Sequence, residues 1–334
     1  MSEPNISPEL FFETANSYQK SAALKSAIEL ELFTLIGEGA TAQDLAHRSG
    51  ASQRGVRVLC DFLVINGFLQ KQGDTYHNTA DTAVFLNKKS PGYLGSAVEF
   101  LLSHEIMSTF DHLTETIRKG TFDSEKGLIA PENPVWVTFA RSMTPLTAGS
   151  ADQLTKLAGF PQDKAIRVLD IAAGHGMFGI AFARRYPKAQ IYALDWKNVL
   201  ELAEENAEKA GVRERFHKIS GSAFDVELGT DYDVALITNF LHHFDPETCV
   251  KFLKRIFTAL GPKGKAITLE FMPNEDRVTP KLAASFAMIM LAETPGGDAY
   301  TFRELEKMHL NAGFPQCTLH ELQQSIQSAI VAEK

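Results

Sequence analysis

The rhythm of apolar and polar positions changes about halfway along this chain. Up to roughly residue 160 the period is helical. Leu24, Ala27, Ile28 and Leu32 form one stripe, continued by Leu35 and Ile36, so residues 8–36 are predicted mostly helical until Gly37 and Gly39 stop them. Thr41-Ala42-Gln43-Asp44 matches a capping box with Asp in place of Glu, and Gly50 closes the short helix it opens. Ser52 caps the next helix, whose inner face is Val56, Leu59, Cys60, Leu63 and Val64, and Gly67 ends it. Residues 68–77 are predicted to form a small hairpin turning at Gly73-Asp74. Residues 94–120 and 134–158 return to a helical period, separated by Pro131 and Pro134.

Beyond residue 160 the apolar positions gather into short runs. Residues 166–173 carry one acid, Asp170, and no polar alternation, the pattern of a strand buried on both faces of a parallel sheet. Further strands are predicted at 190–195, 215–220, 232–238 and 265–271. Helices alternate with them at 177–186, at 198–210 ending on Gly211, and at 246–260 ending on Gly261. Helices at 280–294 and 301–312 follow. Two closing strands, 317–322 and 326–332, joined by a short link, are predicted to pair antiparallel. The fold class is therefore α/β, a doubly wound, Rossmann-like sheet with a closing antiparallel hairpin. An α-rich domain at 1–95, with the helix, helix, helix, hairpin order of a winged helix, precedes it, and a helical connector at 96–160 leads into the sheet domain at 161–334.

The first strand runs into Gly174-His175-Gly176-Met177-Phe178-Gly179, which literally fits G-x-G-x-x-G, the dinucleotide fingerprint. Asp170 argues against that cofactor, because a pyrophosphate would meet an extra carboxylate at the mouth of the strand. A cofactor with a sulfonium and an ammonium, S-adenosylmethionine, would welcome it. Asp195 ends the second strand, where an acid can accept both ribose hydroxyls of either cofactor. Gly221-Ser222-Ala223-Phe224 follows the third strand, where an adenine ring would lie: Ser222 is placed to bond the adenine amino group and Phe224 to wall the ring or to join the core. The fourth strand ends in Thr238-Asn239-Phe240-Leu241-His242-His243, at the edge where open α/β sheets bind ligands. Two histidines there are candidates for proton transfer, and strand alternation points only one of them at the pocket. Phe139 and Met143 in the connector, and Phe286, Met290 and Leu291 on the helix at 280–294, are candidate pocket walls, with plain core packing the competing role.

Charge and composition narrow the partners. The chain has 334 residues, 44% of them hydrophobic, and a net charge of −8, a soluble globular balance that argues against nucleic acid as the main partner. The helix that would read DNA in a winged-helix regulator holds only Arg54 and Arg57, set against Asp61. That segment is expected to pack and dimerise, with a DNA-binding regulator and an NAD-dependent oxidoreductase as the alternatives. Cys60, Cys249 and Cys317 are scattered and form no C-x-x-C pair, so reduced thiols and a cytoplasmic setting are expected. The start lacks a signal-peptide pattern, no apolar run approaches 18 residues, and no His/Cys spacing suggests a metal.

These motifs resemble the S-adenosylmethionine-dependent O-methyltransferases with an N-terminal winged-helix dimerisation domain, which include plant caffeic acid and flavonoid enzymes and bacterial polyketide and carotenoid enzymes. Asp170 and the turn after it resemble motif I, D/E-x-G-x-G-x-G, with Ala172 in place of the first glycine and Gly174 and Gly176 kept. The family's D-L-P corresponds to Asp195-Trp196-Lys197. Its G-D-M-F corresponds to Gly221-Ser222-Ala223-Phe224, so Ser222 replaces an adenine-binding Asp. Its L-H-D-W places the catalytic histidine on His242, read back from Cys249, with His243 replacing the Asp. Of the two acids flanking that base, the first corresponds to Glu270, while Ala299 replaces the second; Asp298 is next door but points elsewhere. The resemblance implies a homodimeric enzyme methylating a hydroxyl oxygen of a small, aromatic or polyketide-like acceptor. It implies His242 as general base and cofactor contacts at Asp170, Ala172, Gly174, Gly176, Asp195, Trp196, Gly221, Ser222, Ala223, Phe224, Thr238 and Asn239.

Overall fold

The computed structural model describes residues 6–122, 132–144 and 147–334. They divide into two compact units, with the boundary after Ser103.

In the first unit, the predicted helical stretch is three helices, Glu9–Ala15, Ser17–Glu29 and Leu32–Ile36. The breaks fall at Asn16 and at Glu31, whose φ of 55° is left-handed. The capping box at Thr41 forms in both directions: its hydroxyl oxygen accepts the Asp44 N–H, and the Asp44 carboxylate accepts the Thr41 N–H. Ser52 caps Gln53–Ile65, which buries Val56, Cys60 and Leu63. Strand β1 (Ala40–Thr41), too short to announce itself by periodicity, joins the predicted hairpin of β2 (Leu69–Gln72) and β3 (Thr75–Asn78) in an antiparallel sheet of order β1-β3-β2. Leu32, Phe33, Ile36, Leu45 and Tyr76 fill the space between helices and sheet. Helix Glu9–Ala15 is the exception, because none of its residues is buried.

The second unit is built on a seven-stranded sheet. Its strands are β4 (Arg167–Ile171), β5 (Gln190–Asp195), β6 (Phe216–Ser220), β7 (Tyr232–Thr238), β8 (Leu260–Glu270), β9 (Cys317–Glu321) and β10 (Ser328–Glu333), in the order β6-β5-β4-β7-β8-β10-β9. The first five are parallel, and β10 pairs antiparallel with both β8 and β9. The chain reverses direction across the sheet between β4 and β7, which opens a crevice at their carboxyl ends.

Side-chain alternation sorts the strands onto two cores. Val168 faces helices Ala148–Ala158, Met177–Arg185 and Lys197–Lys209, whereas Leu169 and Ile171 face helices Pro246–Ala259 and Phe302–Ala312. Helix Lys281–Glu293 packs against helices His104–Thr109 and Leu113–Lys119. Gly261 does not end a helix as predicted. The helix stops at Ala259 and β8 begins at once, with the ladder shifting between Tyr232 and Val234. The glycines serve that irregularity: a Cβ at Gly264 would stand 2.7 Å from the Tyr232 carbonyl oxygen. Among the described residues no helix is long and apolar enough to cross a membrane.

Candidate active site

The crevice is lined first by the turn after β4. Ala172, Gly174 and Gly176 have φ of 49°, 56° and 73°, so the chain passes three times through the left-handed region before Met177 starts the helix. Alternation puts Asp170 on the face covered by that helix, so its side chain is fully buried and does not stand at the strand mouth as predicted. Asp170 Oδ2 accepts the Gly179 N–H at 2.9 Å, and a Cβ at Gly179 would lie 2.9 Å from the same oxygen and 2.6 Å from Ile191. Asp170 Oδ1 is buried without a partner among the described residues. Burial, with a smaller push from the Asp195 charge, raises the Asp170 carboxyl to about 7.

Asp195, at the end of β5, clamps the same turn. Its Oδ2 accepts the Gly174 N–H at 2.8 Å and its Oδ1 the Trp196 N–H at 2.7 Å. Burial raises it to about 6, against the pull of those two amides. Trp196 packs with Trp136 and Val137 against Ala140, Val199 and Leu202. His175 Nδ1 accepts the Met177 N–H, which leaves its proton on Nε2. Beyond β6, Ser222 Oγ accepts the Phe224 N–H at 3.2 Å, and Ala223 is buried. Gly221 holds a φ of 135°, with no room for a Cβ beside Val226. The half-buried Phe224 ring lies in an aromatic cluster with Phe240, Phe244 and Phe252.

The end of β7 brings the histidines in. Thr238 is buried, and Asn239 takes a φ of 55° with its amide oxygen bonded by Gln327 of the closing hairpin. Leu241–His243 is a 3₁₀ turn, not strand, so alternation does not separate the two imidazoles; their ring centres are 4.2 Å apart. His242 Nδ1 lies 2.5 Å from Glu270 Oε2, at the end of β8. Glu270 Oε1 accepts the N–H groups of Phe240 and Leu241 at 3.0 and 2.9 Å. One carboxylate thus shapes the turn and fixes the imidazole tautomer, leaving Nε2 unprotonated when the ring is neutral. Burial, reinforced by His242, holds the His243 imidazole well below its ordinary value, so it is neutral.

Aromatic residues surround this pair. Phe286 stands edge-on to His242 at 4.8 Å and stacks on Phe271. Trp136 stands edge-on to His243 at 5.6 Å and to Phe139 at 5.7 Å. Met143 is half-buried on the same helix as Phe139, whereas Met290 is 2% exposed within helix Lys281–Glu293. Sequence reasoning missed the supports of the turn. Cys249 Sγ–H donates to the Leu241 carbonyl at 3.2 Å, and Tyr300 Oη–H to the Phe244 carbonyl at 2.5 Å. Ala299 is fully buried, and Asp298 is turned away to Arg277 at 3.0 Å. Trp136, Tyr300 and Glu293, a buried acid closing the apolar run Phe286–Ala292, were also missed; only the last left a local signal, an acid at the end of an apolar run.

Three comparisons bear on this arrangement. A family model described as an O-methyltransferase domain matches residues 129–315, and one described as an O-methyltransferase dimerisation domain matches residues 12–88. The tetracenomycin polyketide synthesis 8-O-methyl transferase of Streptomyces glaucescens is 26% identical over 304 residues, 89% of this chain and 88% of that protein. A Nostoc punctiforme protein of known structure, assigned as an O-methyltransferase, is 49% identical with a TM-score of 0.95, covering 99% of this chain and 100% of its own. Human N-acetylserotonin methyltransferase in complex with S-adenosylmethionine has a TM-score of 0.84 at 22% identity, covering 100% and 99%.

Proposed function

The chain belongs to the O-methyltransferase family with an N-terminal dimerisation domain, and on that premise we propose that it moves a methyl group from S-adenosylmethionine to a hydroxyl oxygen of a small aromatic or polyketide-like acceptor, with His242 as general base. The observation that carries the reading is the bond from Glu270 to His242 Nδ1, which leaves Nε2 free to take a proton. The residues of the crevice fit the cofactor. Asp170, buried behind the turn, holds the helix that follows through the Gly179 N–H, and the turn from Ala172 to Gly176 lets backbone approach closely. Asp195 has lone pairs left for ribose hydroxyls after bonding two amides. Trp196, Gly221, Ser222, Ala223, Thr238 and Asn239 border the same carboxyl edge. S-adenosylmethionine supplies an electrophilic methyl on a sulfonium. A phenol with a pKa near 10 is a weak nucleophile at neutral pH, and a neutral imidazole within reach removes its proton as the oxygen attacks. Trp136, Phe139, Met143, His243, Phe286 and Met290 form the acceptor's surroundings in this reading.

We read the first unit as a winged helix that pairs two copies. Helix Glu9–Ala15 exposes Leu10, Phe11 and Phe12 at 75%, 68% and 56%, an apolar face suited to a second chain. No role for nucleic acid or a membrane is part of this reading, and its setting is cytoplasmic. Calorimetry tests the cofactor: S-adenosylhomocysteine binding is expected and NADH binding is not. A homocysteine-release screen over phenols and enols tests the transfer, and a nitrogen or carbon acceptor turned over in preference to every hydroxyl compound would overturn it. Light scattering that returned a monomer would overturn the pairing.

A further inference from the structure

Helix Lys281–Glu293 turns one stripe inward: Ala283, Phe286, Met290 and Glu293 recur at i, i+3, i+7 and i+10. At one end of the stripe Phe286 touches the His242 ring. Glu293 lies seven residues further, about 10 Å along the axis. The chain then turns back to the histidines. Thr294 Oγ1 accepts the Gly297 N–H at 2.9 Å, and Gly297 lies so close to the base turn that a Cβ there would collide with the His242 carbonyl oxygen. Both ends of the stripe are therefore tied to the Leu241–His243 turn.

Glu293 is 6% exposed, and its Oε1 is buried without a partner among the described residues. Burial pushes its carboxyl up to about 7, and no cation among the described residues pulls it down. The helix carboxyl terminus, where this residue sits, disfavours negative charge as well. An unmatched polar atom in such a place is a cost to the fold unless a bound molecule matches it. As a neutral acid it offers a hydrogen-bond donor, and Phe286 and Met290 share its stripe on the side towards His242.

We propose that Glu293 selects the acceptor, donating a hydrogen bond as a neutral carboxylic acid to a carbonyl oxygen at the far end of a two-ring hydroxyaryl ketone whose hydroxyl lies at His242. The proposal rests on the methyl-transfer reading only for which hydroxyl reacts. The probes are 6-acetyl-2-naphthol, with hydroxyl and ketone at opposite ends of two rings, and 2-naphthol, which lacks the ketone. Calorimetry on the full chain loaded with S-adenosylhomocysteine is expected to show the ketone bound roughly ten- to a hundredfold more tightly. Glu293→Gln, whose amide still donates, keeps that preference. Glu293→Leu and Glu293→Met, each verified as folded by its melting temperature, bring the ratio to within about twofold of one; where turnover is measured the change falls on KM rather than kcat. Equal binding of the two probes by the native chain, binding of neither, or a preference that survives both apolar variants overturns the proposal. A preference in binding with no methylation of either probe overturns the methyl-transfer reading and leaves Glu293's role standing.

Discussion

Asp170 and Glu270 sit at the ends of β4 and β8, on either side of β7, and both are buried carboxylates aimed at backbone amides. Their completeness differs. Glu270 meets three donors: two amides of the following turn and the His242 imidazole. Asp170 meets one, the Gly179 amide, and keeps an oxygen without a partner among the described residues and a carboxyl raised to about 7. The fold completes the Glu270 side by itself, whereas the Asp170 side is left one donor short among the described residues.

The contrast can be broken most forcefully at His242. His242→Ala is expected to lower kcat about 10²–10⁴-fold while S-adenosylhomocysteine affinity measured by calorimetry stays nearly unchanged. A wild-type rate with His243→Ala inactive would move the base to the neighbouring ring. Glu270→Ala leaves two buried amides and the imidazole without an acceptor, so urea unfolding is expected to show a loss of roughly 3–5 kcal/mol. Glu270→Gln keeps an acceptor for the amides, and most of that stability returns while the rate stays low.

Asp170 sharpens the other half. Its pKa rises from 3.8 in the open chain to about 7 in the fold, so the native state holds the proton more firmly. The stabilisation this gives is full below about 4 and is lost as pH climbs through 7. Asp170→Asn has no such proton to lose. Denaturation at pH 8 is expected to find it more stable than the parent by roughly 2 kcal/mol, with little difference at pH 4. A stability gain as large at pH 4 would show that packing, not ionisation, is responsible. The smallest effect is at Ala172. Glycine there removes the left-handed penalty but adds freedom to the unfolded chain, a net gain of roughly 0.5–1 kcal/mol read as a rise of about 1–2 °C in Tm.

What was legible in the sequence follows the range of the interaction. Caps at Thr41 and Ser52, the apolar strand runs and the Gly73-Asp74 turn depend on neighbours within a few residues. Strand β1, at two residues, has no period to detect, and β8 starts at Leu260 because of an irregular pairing with Tyr232 far away in sequence. At the site, His242 and Glu270 were readable through a family register, and the bond joining them matches that register. The side on which Asp170 stands follows from counting along β4, yet its burial depends on the helix that covers it. Glu293 looked like the end of an apolar helix, and only the loop folding back through Gly297 connects it with the histidines.

Strand β10 lies inside the sheet, between β8 and β9, although it follows both in the chain. During synthesis on the ribosome β8 therefore leaves the exit tunnel well before its neighbour and waits with an open edge. Ser328, which pairs with Glu270, and Gln327, which reaches Asn239, arrive with that same late strand. A nascent chain thus cannot complete the wall behind His242 until β10 has emerged. An open strand edge held for that interval is a surface that chaperones recognise and that stalled or nicked chains would pair through, so loss of a few residues here would remove an interior plank of the sheet, not its fringe.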